Sequence, residues 1–227
     1  MINFKQSEIA SFCIQQFIPY LCSYNKCVQS INLKWYKANM EKLSINTERL
    51  TIRNLEIKDL SDFYVYRSNP EVTKYQGFDI MDKQQASDFI ERQADKLYGK
   101  PGEWVQYGIE ENKTKTLIGD CAIKLEDDPR IAQIGITINP GYQKKGYAKE
   151  VMIGLMTWLF EVKNIHRLTE IVDEENTSSI NLLKSLHFRK EGHFIKNVYF
   201  NNKWGSEFQY AMLNSEWRIK KYTIAFS

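Results

Sequence analysis

The pattern of hydrophobic and polar positions divides residues 50–138 into strands and helices. Leu50 and Ile52 alternate with Thr51 and Arg53, and this period of two predicts a first strand. Apolar residues at helical spacing then predict two helices, over residues 57–67 and 83–98. Three strand-like runs follow, and the short polar breaks between them predict antiparallel hairpins. These runs cover residues 104–110, 116–125 and 130–138.

The second half of the chain has the same mixed pattern. Asn139, Pro140 and Gly141 end a strand, and Asn176 is a residue type that caps helices. In order, the pattern predicts a helix, a short buried strand, a capped helix and two closing strands, so the chain as a whole predicts a mixed α/β sheet. These elements cover residues 147–160, 168–172, 177–186, 194–200 and 206–213.

Composition narrows the class of protein. The chain has 227 residues, of which 43% are hydrophobic and 13% aromatic, and this is enough for a packed core. A net charge of +3 is too small to indicate a nucleic-acid partner. The sequence contains no apolar run of about 18 residues, so it predicts no membrane span.

The first residues differ from the rest of the chain. Three of the four cysteines, Cys13, Cys22 and Cys27, lie there, without C-x-x-C or zinc spacing, so we expect no metal and a reducing, cytoplasmic compartment. Met40 begins a stretch that looks like a fresh protein start. We therefore predict an N-terminal extension over 1–46, a working domain over 47–217 and a tail over 218–227. The alternative is an added helix at the start that packs on the core or on a partner.

A basic, glycine-containing loop joins the strand that ends near residue 138 to the next helix. Backbone N–H groups at the start of a helix suit a phosphate, and Lys144, Lys145 and Lys149 add positive charge there. The G-x-x-x-x-G spacing of a nucleotide P-loop is present, but its lysine and hydroxyl residue are not, and no G-x-G-x-x-G occurs. What remains is Gln-x-x-Gly-x-Ala, over residues 143–148. An ordinary lysine-rich turn before an amphipathic helix is the alternative.

This loop resembles the coenzyme A pyrophosphate signature of the GNAT superfamily of N-acyltransferases. More narrowly, it is similar to the branch that contains the ribosomal-protein N-terminal acetyltransferases (Rim-type). Further motifs match this branch in the same order, and the resemblance covers roughly residues 47–217. They are Leu117-Ile118-Gly119-Asp120, Asp128-Pro129-Arg130, His166-Arg167, Asn176-Thr177-Ser178-Ser179-Ile180, Leu186-His187-Phe188, Glu191-Gly192-His193 and Glu216-Trp217.

The resemblance implies the GNAT fold, a mixed, mostly antiparallel twisted sheet flanked by helices, with acetyl-CoA held in a splayed strand pair. It also implies direct attack of a primary amine on the thioester, with one N–H of the strand as oxyanion donor. Ile136, Thr137 and Ile138 would line the pantetheine, and the loop would hold the pyrophosphate through Gln143, Lys144, Lys145, Gly146, Tyr147, Ala148 and Lys149. Asn176 would anchor the cofactor and Ser179 would donate a proton to the leaving thiolate.

The acceptor is less defined. Tyr75, Trp104 and Tyr199 are candidates to line its cleft, and the amine could belong to a protein N-terminus, a polyamine, an aminoglycoside or another small molecule. Dimers are common in the branch, so a homodimer is one option that the sequence leaves open. A non-catalytic acyl-CoA-binding module, or an interaction domain whose loop binds another anion, are the alternatives.

Four positions depart from the branch pattern. Leu183 stands where many acetyltransferases carry a tyrosine general acid, and Gln133 where the branch often has a glutamate. His187 replaces a helix-ending glycine, and Ser206 replaces an aspartate. With Leu183 in place of the tyrosine, that route for a proton to the leaving group is missing. The four changes leave the predicted cofactor site intact, but they leave the identity of the base and of the acceptor open.

Overall fold

The computed structural model of the protein describes residues 41–75, 80–200 and 202–225, which belong to one compact unit that begins at Glu41. The predicted extension, apart from its last residues 41–46, and the cysteines Cys13, Cys22 and Cys27 lie outside the described residues. The boundaries of the three predicted segments stay predictions.

The described residues form one eight-stranded sheet, as the mixed α/β pattern predicted. The strand order is β1-β2-β3-β4-β5-β6-β8-β7, and every neighbouring pair is antiparallel except β5 with β6. The strands are β1 (Ser44–Asn46), β2 (Leu50–Asn54), β3 (Trp104–Glu111), β4 (Leu117–Leu125), β5 (Ile131–Ile138), β6 (Arg167–Asp173), β7 (Arg189–Phe200) and β8 (Lys203–Leu213).

Helices cover both faces of this sheet. They are α1 (Leu60–Arg67), α2 (Pro70–Thr73), α3 (Lys83–Ala94), α4 (Tyr147–Thr157), α5 (Thr177–Ser185) and α6 (Asn214–Ala225). From α1, Arg67 holds Asp120 of β4 on one face. From α4, Gly154 approaches Ile52 of β2, which lies on the other face. The site described below lies where β5 and β6, between these two layers, separate.

Several elements differ from the sequence predictions. The helix predicted over 83–98 ends at Ala94, and the one predicted over 147–160 continues as a π-helical turn, Trp158–Val162. The short elements β1 and α2 contain too few residues to produce a recognisable period. Helix α6 was not predicted, and it crosses the expected start of the tail at residue 218.

Candidate active site in the gap between β5 and β6

The central parallel pair of strands separates after three residue pairs. Ile131, Ala132 and Gln133 of β5 pair with Arg167, Leu168 and Thr169 of β6, and the pairing stops there. Beyond that point β5 pairs with β4 alone and β6 with β8 alone. The sheet therefore contains a wedge-shaped gap that opens towards the carboxyl ends of both strands.

The hydrogen-bond register shows which backbone groups face this gap. The N–H of Asn139 bonds to the carbonyl of Ile118 on β4, and antiparallel pairs alternate between bonded and non-bonded positions. Thr137 therefore points its backbone at β4, whereas Ile136 and Ile138 point theirs into the gap. These are strand-like donors and acceptors that no neighbouring strand pairs with.

The loop after β5 has the backbone conformation of an anion-binding turn. Lys144 and Gly146 both have a left-handed backbone, with φ of 60° and 80°, so the chain turns its N–H groups towards one side. Gly146 is the N-cap of α4, and no described side chain caps this helix. The first-turn N–H groups of α4, including those of Tyr147 and Ala148, are therefore left for an external acceptor.

Charged and aromatic contacts hold the loop in this shape. The Arg49 guanidinium bonds to Glu150 of α4 (Nε to Oε2, 2.6 Å) and to the Lys145 carbonyl (Nη1 to O, 3.0 Å). It also lies 4.5 Å above the ring of Tyr147. Burial raises the pKa of Glu150, but hydrogen bonds from Thr47 and Arg49 more than offset this, so its pKa is lowered and the carboxylate stays charged.

Gln143 has a structural contact as well as a place beside the gap. Its side-chain Nε2 donates to the carbonyl of Ile138 at 2.9 Å, which satisfies one of the backbone groups that face the gap. This bond ties the loop to the end of β5. The sequence signal Gln-x-x-Gly-x-Ala thus contains one residue that braces the loop and one, Gly146, that allows its turn.

Helix α5 begins at the opposite side of the gap. The Asn176 side chain is its N-cap and accepts from the backbone N–H of Ser179 (Oδ1 to N, 3.1 Å), as the sequence predicted. Both side chains also line the cleft, so capping does not exclude contact with a ligand.

The gap, the loop and the two helix starts enclose one cleft of about 410 Å³. It brings together most of the predicted cofactor residues and one predicted acceptor residue, Tyr75. The predicted residues that line it are Tyr75, Ile136, Thr137, Ile138, Gln143, Lys144, Gly146, Tyr147, Ala148, Lys149, Asn176 and Ser179. The sequence reading missed Glu71, Val72, Tyr142, Ser178 and Leu182, which also line it. Glu71 and Val72 belong to the short helix α2, which has no periodic signal.

Three predicted residues lie elsewhere. Lys145 turns back on its own loop, where its Nζ donates to the Gly141 carbonyl at 3.0 Å. Trp104 starts β3 and stacks under Lys124, and Tyr199 packs against Trp204 near the tip of the β7–β8 hairpin. Neither aromatic residue lines the cleft, and the acceptor roles predicted for them have no supporting contact.

The departures from the branch pattern can also be placed. Leu183 is fully buried in α5, and Ser206 accepts from the backbone N–H of Lys196 at 3.1 Å. His187 has φ of 58°, the left-handed value that its helix-ending position requires. Among the described residues, no three histidine, cysteine, aspartate or glutamate side chains come close enough to hold a metal ion. No helix in the described ranges is both long and apolar enough to cross a bilayer.

Comparison with known proteins agrees with this geometry. A family model described as "Acetyltransferase (GNAT) domain" matches residues 49–189. The uncharacterized N-acetyltransferase YnaD of Bacillus subtilis is 31% identical over 77% of this chain and 99% of its own length. A crystal structure of a GNAT-family acetyltransferase from Bacillus anthracis superposes with a TM-score of 0.71 at 26% identity, over 77% of this chain and all of the other.

Two relatives with named acceptors are more distant. The spermidine N(1)-acetyltransferase of Vibrio cholerae is 25% identical over 74% of this chain and 95% of its own length. The ribosomal protein uS5-alanine N-acetyltransferase of Escherichia coli is 22% identical over 80% of this chain and 96% of its own length.

Proposed function

Because the chain belongs to the GNAT acetyltransferase family, we propose that it moves the acetyl group of acetyl-CoA directly onto a primary amine bound at this cleft. Family membership makes it an acetyl-CoA-dependent N-acetyltransferase rather than a non-catalytic binding module. The observation that carries the assignment of the site is the gap between β5 and β6, which continues directly into the loop at residues 143–149.

The residues at the gap fit the two halves of the cosubstrate. A pantetheine chain carries amides that can pair with the backbone groups of Ile136 and Ile138, in the manner of an added strand. The N–H groups at the start of α4, near Gly146, suit a pyrophosphate. When bound, acetyl-CoA supplies the activated acetyl group as a thioester.

Catalysis in this proposal comes mainly from positioning and from a polarised carbonyl. A backbone N–H of β5, from Ile136 or Ile138, stabilises the negative charge that develops on the carbonyl oxygen. Asn176 orients the pantetheine, and the Ser179 hydroxyl donates a hydrogen bond to the leaving sulfur. No cysteine is required as a nucleophile, because Cys121, the cysteine among the described residues, is buried and burial raises its pKa.

We assign the acceptor side to α2. Among the described residues that line the cleft, Glu71 is the carboxylate, and Tyr75 lies one turn further along the chain. A carboxylate there attracts a cationic amine and can take up the proton that the amine must lose before attack. A polyamine and a protein N-terminus both fit, and the two relatives with named acceptors support one each. Membership of the Rim-type branch and a homodimer remain further proposals.

The test is a titration with acetyl-CoA followed by thiol release on an amine panel. The panel contains spermidine, spermine, an aminoglycoside and a peptide with an N-terminal alanine. We expect saturable binding of acetyl-CoA and turnover that depends on one class of amine. Binding without turnover on any amine would contradict the proposed transfer, and no binding would contradict the assignment of the cleft.

A further inference from the structure

Glu170 is a buried carboxyl group in the middle of β6. It is 5% exposed, and its Oε2 atom has no hydrogen-bond partner among the described residues. Buried polar atoms are nearly always satisfied, because an unmade hydrogen bond destabilises the folded chain. An unpartnered carboxyl oxygen inside a strand therefore calls for a reason other than packing.

The position of Glu170 in the sheet suggests a functional reason for this buried carboxyl group. The last pair between the two central strands joins Gln133 to Thr169, so Glu170 is the first residue of β6 beyond it. It therefore lies at the apex of the gap. Val172 lies further along β6, on the wall of the gap. Positions two residues apart in a strand are about 7 Å apart, so Glu170 lies about 7 Å closer than Val172 to the point where the two strands meet.

The face of the sheet can be worked out from the register. Asp120 is held by α1 and pairs with Thr137, so Thr137 shares the face of α1. Side chains alternate, so Ala132 of β5 lies on the opposite face. Ala132 pairs with Leu168, and Glu170, two residues further on, shares that opposite face. This is the face on which α4 packs.

Helix α5 covers the same face. Tyr210 of β8 pairs with Glu170, and Tyr210 shares one surface pocket with Ile180 and Phe188, which belong to α5 and the turn after it. Helix α5 also carries Leu183, the position at which the resembling enzymes have a tyrosine acid. Glu170 thus places a carboxyl group beneath the helix in which Leu183 replaces the usual tyrosine acid.

Its protonation state follows from its surroundings. Burial raises the pKa of Glu170 to about 8, and no charged neighbour contributes to this shift. The titratable side chains on the same face of the neighbouring strands include Tyr210, Cys121, Tyr107 and Lys190. Burial raises the pKa of the two tyrosines and of the cysteine, so all three stay neutral. The Lys190 ammonium lies over the Phe208 ring, and Lys184 of α5 lines the same surface pocket as Tyr210. Glu170 therefore carries a proton at neutral pH, and it is a stronger acid than the buried tyrosines and cysteine.

We propose that Glu170 is the proton source for the thiolate that leaves during acetyl transfer. The inference rests on the proposed function, and it supplies an acid in place of the tyrosine route that is missing where Leu183 stands. A serine hydroxyl such as that of Ser179 can pass a proton on, but it is too weak an acid to supply one near neutral pH.

The proton balance is as follows. The amine nitrogen forms the new C–N bond, the C–S bond breaks, and the bonding electron pair leaves on sulfur, which takes up the proton that Glu170 held. The acetylated nitrogen loses one proton to the water of the cleft. The Glu170 carboxylate regains a proton from that water. Counted from the neutral amine, each turnover yields one amide and one thiol with no net change in protons, and the proton that a cationic amine loses before attack is released to the solvent.

The decisive variant is Glu170→Gln, which keeps the shape and polarity of the neutral carboxyl but cannot donate a proton. We expect its kcat to fall by about 100-fold, within the range for loss of a general acid, while the KM for acetyl-CoA stays within about twofold. In the unsubstituted enzyme kcat falls as pH rises through about 8, because Glu170 loses its proton, and this falling limb is absent from the variant. The control is Glu126→Gln, at a partly exposed turn residue after β4 that does not line the cleft, and this variant keeps both kcat and the limb.

Two results would overturn the inference. One is a folded Glu170→Gln enzyme that has an unchanged kcat and the same falling limb. Because that enzyme would still acetylate its amine, this result would leave the proposed function intact. The other, which remains measurable if the variant does not fold, is a limb in the unsubstituted enzyme whose pKa moves with temperature. Carboxyl groups ionise with almost no enthalpy change, so their pKa hardly changes with temperature. Amines, thiols and phenols ionise with a large enthalpy change, so their pKa does change.

Discussion

Arg67 and Asp120 form an ion pair from which water is excluded. Arg67 Nε lies 3.0 Å from Asp120 Oδ2, and the two side chains are 2% and 0% exposed. The Tyr66 hydroxyl donates to the same carboxylate at 2.6 Å, and Gln106 donates to its other oxygen. This cluster fixes the end of α1, from which the chain passes directly into α2 and the acceptor side of the cleft.

Asp120→Asn should therefore be strongly destabilising. The substitution leaves a buried guanidinium without its counter-charge, and loss of one partner of a buried pair costs about 3–5 kcal/mol. Urea denaturation measures the change. The matched control is Asp95→Asn, which breaks an exposed pair with Lys42 and should leave the free energy of unfolding unchanged. Equal effects of the two substitutions would contradict the stabilising role of the cluster.

The left-handed turn before α4 can be tested with two glycines of one loop. Gly146→Ala forces a Cβ onto a backbone with φ of 80°, at a cost of about 1–2 kcal/mol, and we expect acetyl-CoA binding to weaken about tenfold as the loop changes shape. Gly141→Ala is the control, because its new Cβ would meet only Asn139 Oδ1, at 3.7 Å. Isothermal titration with acetyl-CoA compares them, and equal affinities would show that the turn does not shape the site.

The carboxylate on α2 should affect the amine and not the cosubstrate. Glu71→Gln removes the charge at the cleft wall, and we expect kcat/KM for a cationic amine to fall about tenfold, since a hydrogen bond to a charged group contributes about 1.5–3 kcal/mol. The KM for acetyl-CoA should not change. Steady-state kinetics with Glu91→Gln, on the exposed face of α3, serve as the control. If the KM for acetyl-CoA rises instead, Glu71 acts on the cosubstrate, and its assignment to the amine is wrong.

The end of helix α5 contains a residue in a conformation that glycine adopts more easily. The Phe188 N–H bonds to the Leu183 carbonyl and the His187 N–H to the Lys184 carbonyl, which is the pattern of a Schellman cap with His187 in the left-handed position. His187→Gly should raise stability by about 1 kcal/mol by relieving this strain.

Thermal unfolding measures the gain. Lys184→Gly places the same residue inside the same helix, at an exposed position, and should lower stability by about 1 kcal/mol. If both glycines destabilise the protein, the left-handed position is not the source of strain.

Glu170 should also make stability depend on pH. Its folded pKa of about 8 lies above its usual value of 4.5, so the folded state holds a proton that the unfolded chain releases. The contribution of this group to stability is complete below about pH 4.5 and is lost as pH rises through about 8. The loss approaches roughly 5 kcal/mol, since one pKa unit corresponds to about 1.4 kcal/mol. Urea denaturation at several pH values should show this slope in the unsubstituted protein and not in Glu170→Gln.

Much of the fold could be predicted because its strands are locally regular. Leu50 and Ile52 point to one face and Thr51 and Arg53 to the other, and this alternation follows from the sheet itself. Helix α6 lacked such a signal. Ile219 and Tyr222 are exposed on it, so its apolar residues do not form one stripe, and its buried Trp217 packs on Phe160, which is distant in sequence.

The candidate site could be predicted only in part, for a related reason. The turn around Gly146 is a local property, and local sequence indicates it. The gap between β5 and β6 begins where the strand pairing stops, and no residue type marks that point. Only the resemblance to the GNAT superfamily therefore predicted the gap. The sequence does carry a signal for Glu170, because a glutamate lies between Leu168 and Val172 on the buried face of a strand, and a carboxyl group is unusual at such a position.

The three pairs that join β5 to β6 have a mechanical consequence. One segment of the sheet contains β1 to β5, and the other contains β6 to β8. The three residue pairs between β5 and β6 are the strand pairing that connects the two segments in the described residues. In the proposed binding mode, the pantetheine of the cosubstrate lies in the gap as an additional strand between the two segments. Under that proposal, release of coenzyme A also removes a connection between them, so we expect product release and loosening of the sheet to occur together.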